Sequence, residues 1–156
     1  MATIEVTLFQ TICHCNWYAK EVNMVRVSNF IYCLNSVTSD AEANEFGVLS
    51  AITPDFVPGS FSFSVLCSIL GLEDGNHSIK MQFIAPDGEI LVNIDGIIPY
   101  ERKTDNNLPA EQIGINISTV WQNVTFKQSG MYKTIVTVDN SECGTYEIFV
   151  KGKNEV

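Results

Sequence analysis

Apolar and polar residues alternate along Ser60–Ile69. Phe61, Phe63, Val65, Cys67 and Ile69 fall on one side, Ser60, Ser62, Ser64 and Ser68 on the other. Successive side chains of a strand point to opposite faces. A row of serines opposite a row of apolar groups therefore predicts a sheet with one face in water. Glu73-Asp74-Gly75-Asn76 carries turn chemistry, and Ile79, Met81 and Phe83 resume the apolar row. The expected unit is a β-hairpin. Pro86-Asp87-Gly88 predicts a second turn, with Pro setting φ and Gly supplying the position that tolerates positive φ. Glu89–Ile98 reads as the next strand, bent at Gly96.

The same reading extends to both sides. Thr3–Cys15 is rich in β-branched and aromatic residues and predicts a strand. Val25–Val37 predicts another, apolar on both faces near its end and so covered on two sides. Ser39–Phe46 predicts a short helix, capped by Ser39 or Asp40 and ended by Gly47. Leu49–Gly59, with Pro54 and Pro58, reads as a connection, and Tyr100–Pro109 as a surface loop. Ile113–Phe126 favours a strand through its Ile, Val and Thr content. Turns at Gln128-Ser129-Gly130 and Asp139-Asn140-Ser141 bracket a strand over Tyr132–Val138. Thr145–Val150 is the last strand, and Lys151–Val156 a frayed tail.

About seven to nine strands with turns every 8–12 residues or so predict an all-β fold. The expected architecture is one antiparallel β-sandwich over residues 1–150, with at most one or two short helices and a C-terminal tail at 151–156. A length of 156 residues suits one domain with a real core.

Charge narrows the partners. Eighteen acidic against nine basic residues leave a net charge of −9, and both kinds are scattered. No basic stripe exists to neutralise phosphates, which argues against nucleic acid and against an anionic membrane surface. Dispersed acids serve solubility. They could also dock on a basic protein. The start of the chain lacks a basic region followed by an apolar core, and no apolar run nears the roughly 20 residues of a membrane helix. The expected location is the cytoplasm. Cys13, Cys15, Cys33, Cys67 and Cys143 are odd in number and without framework spacing, so they read as small buried hydrophobes of a reducing compartment.

From Phe61 onward the chain resembles a family of small bacterial and phage-associated β-sandwich proteins of unknown function. The resemblance rests on Gly75, His77, Ile79, Met81, Phe83, Pro86, Asp87 and Gly88, then on Asn123, Val124, Phe126, Gly130, Tyr132, Val136, Val138 and Asp139. It implies a sandwich fold, carries over no catalytic residue, and would place a phage-encoded member in the host cell cytoplasm.

Candidate chemistry is sparse. On a strand Cys13 and Cys15 share a face while His14 points away, so the three cannot meet on one metal without a bulge. Cys33 is the third ligand such a site would need. With only His14 and His77 there are few general bases, and no nucleophile elbow is present. His77 reads as a cross-strand surface residue. Asp74, Asp87, Asp95 and Asp139 are the carboxylates a calcium site would draw on, but none shows the spacing of a dedicated loop. The expectation is therefore no catalytic, cofactor or metal residues. Interface candidates are the turn acids Glu73, Asp74, Asp87 and Glu89 and the aromatics Trp17, Tyr18 and Trp121. The function that fits is a non-enzymatic protein-binding module using a sheet edge or end loops. In one version it inhibits a basic host defence nuclease through its acidic surface. The alternatives are a self-assembling phage structural or accessory protein and a small-ligand or calcium-binding sandwich.

Overall fold

The computed structural model describes residues 25–35, 46–102 and 107–155. Among them run nine strands: β1 (Arg26–Asn35), β2 (Phe46–Val48), β3 (Ala51–Ile52), β4 (Gly59–Leu70), β5 (Gly75–Ile84), β6 (Ile90–Tyr100), β7 (Gly114–Phe126), β8 (Gly130–Val138) and β9 (Ser141–Val150). A short 3-10 turn at Ala110–Gln112 precedes β7. The strands form two sheets, ordered β2-β1-β4-β7 and β3-β9-β8-β5-β6. Each buries its apolar rows against the other, which makes the fold the expected β-sandwich. One pairing departs from the antiparallel expectation. β3 runs parallel to β9, inside the stretch read as a connection, and two residues are too few for alternation to register.

The expected hairpin between Ser60–Ile69 and Ile79–Phe83 does not form. β4 pairs with β1 and β7, whereas β5 pairs with β6 and β8. The turn carries the chain from one sheet to the other, and Leu72, with 0% exposure, plugs the crossing. Two apolar rows facing across a core alternate just as two rows side by side do, so the pattern alone does not separate these arrangements. Of the other three expected turns, Gln128-Ser129-Gly130 likewise crosses between sheets, from β7 to β8, and two close hairpins. Pro86-Asp87-Gly88 joins β5 to β6, with Gly88 at φ 90°. Asp139 (φ 48°) and Asn140 (φ 66°) join β8 to β9, the two left-handed residues that a type I′ turn needs.

Two clusters of buried residues fill the interior, with half-buried Phe30 and Tyr146 packed against both. Toward the Gly59 end it is aromatic: Phe63 meets Phe83 edge-on at 5.5 Å, Phe83 stacks on Tyr132 at 5.6 Å, and Trp121 lies 5.2 Å from Phe63. Toward the Gly75 end it is aliphatic, with Ile69, Leu72, Ile79, Met81 and Val136. Tyr32 ties the sheets together. Its hydroxyl donates to the Tyr146 carbonyl at 2.9 Å, so Thr134 Oγ1, at 2.6 Å and fully buried, donates to it. β4 and β7 approach so closely that a Cβ on Gly114 would collide with the Ile69 carbonyl oxygen.

Two smaller expectations change. The serine face of β4 is not uniformly wet: Ser60 and Ser62 are exposed, but Ser64 is buried in the middle of its sheet. The expected frayed tail is held. Lys151 N–H donates to the Ile52 carbonyl and Lys153 N–H to the Pro54 carbonyl, and Ser129 Oγ donates to the Glu155 carboxylate. The strand expected over Thr3–Cys15 and most of the helix expected over Ser39–Phe46 lie outside the described residues; Phe46 itself opens β2. Among the described residues no helix is long and apolar enough to cross a membrane.

Candidate functional site

The long edge strands lie on one side of the sandwich. β6 closes one sheet and β7 the other, whereas the opposite side ends in the two- and three-residue strands β3 and β2. Among the described residues β6 hydrogen-bonds to β5 alone. It is also the one long strand among them with no buried residue. Ile97 is 73% exposed and Ile90 50%. Ile94 sits opposite buried Met81 and so on the core side, yet it is still 36% exposed. A Cβ on Gly96, opposite Ile79, would meet nothing within 4 Å. Among the described residues the core is therefore unclosed along this seam. A groove of about 500 Å³ runs between β6 and β7, lined by Ile90, Val92, Ile94, Thr119, Val120 and Trp121 among others.

The two edges are not equivalent. β7 is guarded: its register breaks opposite Phe61–Phe63, and Asn123 beside the break has φ 52°. Such a bulge twists an edge away from pairing. β6 keeps a regular register from Val92 to Tyr100. Its irregularities stand at its ends, a shift opposite Phe83–Ile84 and Pro99, which has no N–H to offer.

Trp121 is corrected as an interface anchor. It is 3% exposed and packed in the aromatic core, at the wall of the groove. Its indole Nε1–H has no acceptor among the described residues. Trp17 and Tyr18 lie outside the described residues, as do Cys13, His14 and Cys15. Cys33 is buried, and that burial pushes its thiol above the ordinary range.

The four acidic candidates do not form one surface. Glu73 and Asp74 lie at the start of β5 and Asp87 and Glu89 beyond its end, about 30 Å away for a ten-residue strand. Three have local work. Asp74 Oδ1 accepts from Arg102 N–H at 2.6 Å, Asp87 Oδ1 from Glu89 N–H at 3.0 Å, and Glu89 pairs with Lys127 at 2.7 Å. The calcium candidates scatter likewise, with Asp95 midway along β6 and Asp139 in the β8–β9 turn.

At the Gly75 end His77 is not a surface residue but 9% exposed. Its Nε2 lies 2.7 Å from the Glu73 carbonyl, which can only accept. Its Nδ1 lies 2.7 Å from Asp139 Oδ2. Both nitrogens donate only in the imidazolium. The Glu73 carbonyl first and the Asp139 carboxylate second raise the His77 pKa above its ordinary value. The same bond holds Asp139 below the usual carboxylate range. Asp139 also accepts from Ser78 N–H at 2.9 Å, so the pair clamps the inter-sheet crossing to the β8–β9 turn. In sequence 62 positions divide these two residues, so neither predicts the other. The left-handed turn at Asp139 was the available signal.

Residues 33–151 match DUF6941, described as a family of unknown function. The chain belongs to this family. The match agrees with the resemblance to proteins of unknown function and spans its motifs from Gly75 to Asp139. No curated protein matches the chain. Among solved structures it is similar to an immunoglobulin-like protein from Pseudomonas aeruginosa, at 10% identity over 82% of this chain and 97% of that one, with a TM-score of 0.45. It is also similar to part of a β-glucuronidase from glycoside hydrolase family 2, at 20% identity over 60% of this chain and 10% of that one, with a TM-score of 0.38.

Proposed function

We propose that the chain is a non-enzymatic protein-binding module that takes an extended segment of a partner along β6. The observation that carries this is the open β6 edge, with Ile90, Ile94 and Ile97 exposed beside an unclosed core. An unpaired edge offers a row of backbone donors and acceptors. A docked strand satisfies them, and its alternate side chains cover the seam, which is the physics of β-strand addition. The reading as an inhibitor that fills a basic nuclease channel draws less support, because the candidate acids stand at opposite ends and are engaged locally.

The test is selection from a library of unstructured peptides, with counter-selection on an Ile97→Lys variant. Ile97 is exposed, so the variant keeps its fold. The expected result is enrichment of proline-free peptides with alternating apolar residues that protect β6 amides from exchange. Peptides that bind both proteins equally, or that protect amides elsewhere, would overturn the proposal.

A further inference from the structure

We infer, resting on the reading of β6 as a strand acceptor, that its partner strand is β6 of a second copy of this chain, paired antiparallel about a two-fold axis at Ile94. Register selects the partner. Asn93, Asp95, Ile97 and Pro99 occupy the outer face of β6, because Val92, Ile94, Gly96 and Ile98 oppose the core residues Phe83, Met81, Ile79 and His77; Leu91 sits in the bulge opposite Phe83–Ile84 and packs against the core. Residues directly opposite in an antiparallel pair lie on one face, so each possible two-fold centre fixes a set of partners.

A centre at Asn93 sets Asn93 against itself and leaves Asp95 without a donor. One at Asp95 sets Asp95 against itself, and one at Gly96 sets Asp95 against Ile97. Of these, the centre at Ile94 gives Asp95 a donor: Asn93 meets Asp95 twice, an amide against a carboxylate. On the core side the same register lays Val92 over Gly96, whose missing side chain leaves the room, and Ile94 over its own copy. Charge agrees. Between Ile90 and Pro99 only Asp95 is charged, in a chain of net charge −9, so this is a stretch along which two acidic molecules can approach. A two-fold interface must be self-complementary, and this edge is, in that register.

The experiment is sedimentation velocity of the full chain from low to high micromolar concentration, for wild type and for Asn93→Asp and Asn93→Lys. Thermal unfolding checks that both variants fold, as befits an exposed site. The expected wild-type result is a concentration-dependent dimer that tightens with added salt, which screens the net charge. Asn93→Asp places two Asp–Asp pairs in each dimer and weakens it by about tenfold, while Asn93→Lys places two Lys–Asp pairs and tightens it several-fold. A dimer indifferent to both substitutions overturns the inference. So does a monomer at every concentration. A monomer that still takes library peptides on β6 leaves the binding module standing. A monomer whose β6 amides are already protected shows the edge covered by the chain itself, and then both readings fail.

Discussion

Replacing His77 by alanine removes the clamp between the inter-sheet crossing and the β8–β9 turn. The bond to Asp139 is charge-assisted and 2.7 Å long, but the Asp139 side chain is 48% exposed. It therefore counts at the low end for such bonds, about 1.5 kcal/mol. The bond to the Glu73 carbonyl adds about 1 kcal/mol, and the space vacated beside Tyr100 roughly another 0.5–1 kcal/mol. The expected loss is about 3 kcal/mol near pH 6. Because the folded pKa of His77 is raised, the charge-dependent part is fully present below the unfolded value of about 6.5. It fades as pH rises through the folded value. Because the folded pKa of Asp139 is lowered, the same part fades again as pH falls through that value. Urea denaturation of wild type and His77→Ala at about pH 6 and about pH 9 reads the difference, with other titrating groups cancelling. The gap should shrink by about half at the higher pH. A gap that stays flat or widens with pH refutes the imidazolium reading.

Phe83→Ala empties the centre of the aromatic core, where Phe83 is 0% exposed, and should cost about 3–5 kcal/mol in the same assay. Tyr32→Phe strands the Thr134 hydroxyl and the Tyr146 carbonyl between the sheets. It should cost about 1–3 kcal/mol by thermal or urea unfolding. Gly114→Ala drives a methyl into the Ile69 carbonyl and should cost about 2–3 kcal/mol, with faster amide exchange at the Leu70–Gly114 end of the β4–β7 pairing. Raising pH to deprotonate Cys67 should fail short of about 12, where burial has pushed its thiol. Thiol alkylation of the folded chain should accordingly spare it while modifying the more open Cys143.

The sandwich was legible because alternation is long and clean in Ser60–Ile69, Ile79–Phe83 and Tyr132–Val138. The turns at Gly88 and Asp139-Asn140 were legible because each demands a left-handed residue that the sequence visibly supplies. Sheet membership was not. β4 and β5 carry apolar rows that serve equally for neighbours in one sheet and for partners across a core. The site was harder still. Trp121 looks like an anchor by residue type, and only the pairing of β7 with β4 sends it inward. β6 looks like any other strand, and only the sheet order shows that it has one neighbour among the described residues. The His77–Asp139 clamp joins residues far apart in sequence, each ordinary by itself.

Site-resolved amide exchange along β6 tests the open-edge account most directly. In dilute protein the outward-facing amides between Leu91 and Ile97 should exchange freely while those bonded to β5 are protected. Docking of a strand, whether a selected peptide or a second copy, should protect the outward set. Outward amides already protected in the dilute monomer, or unprotected when a strand is bound, would contradict the claim that β6 is the binding edge.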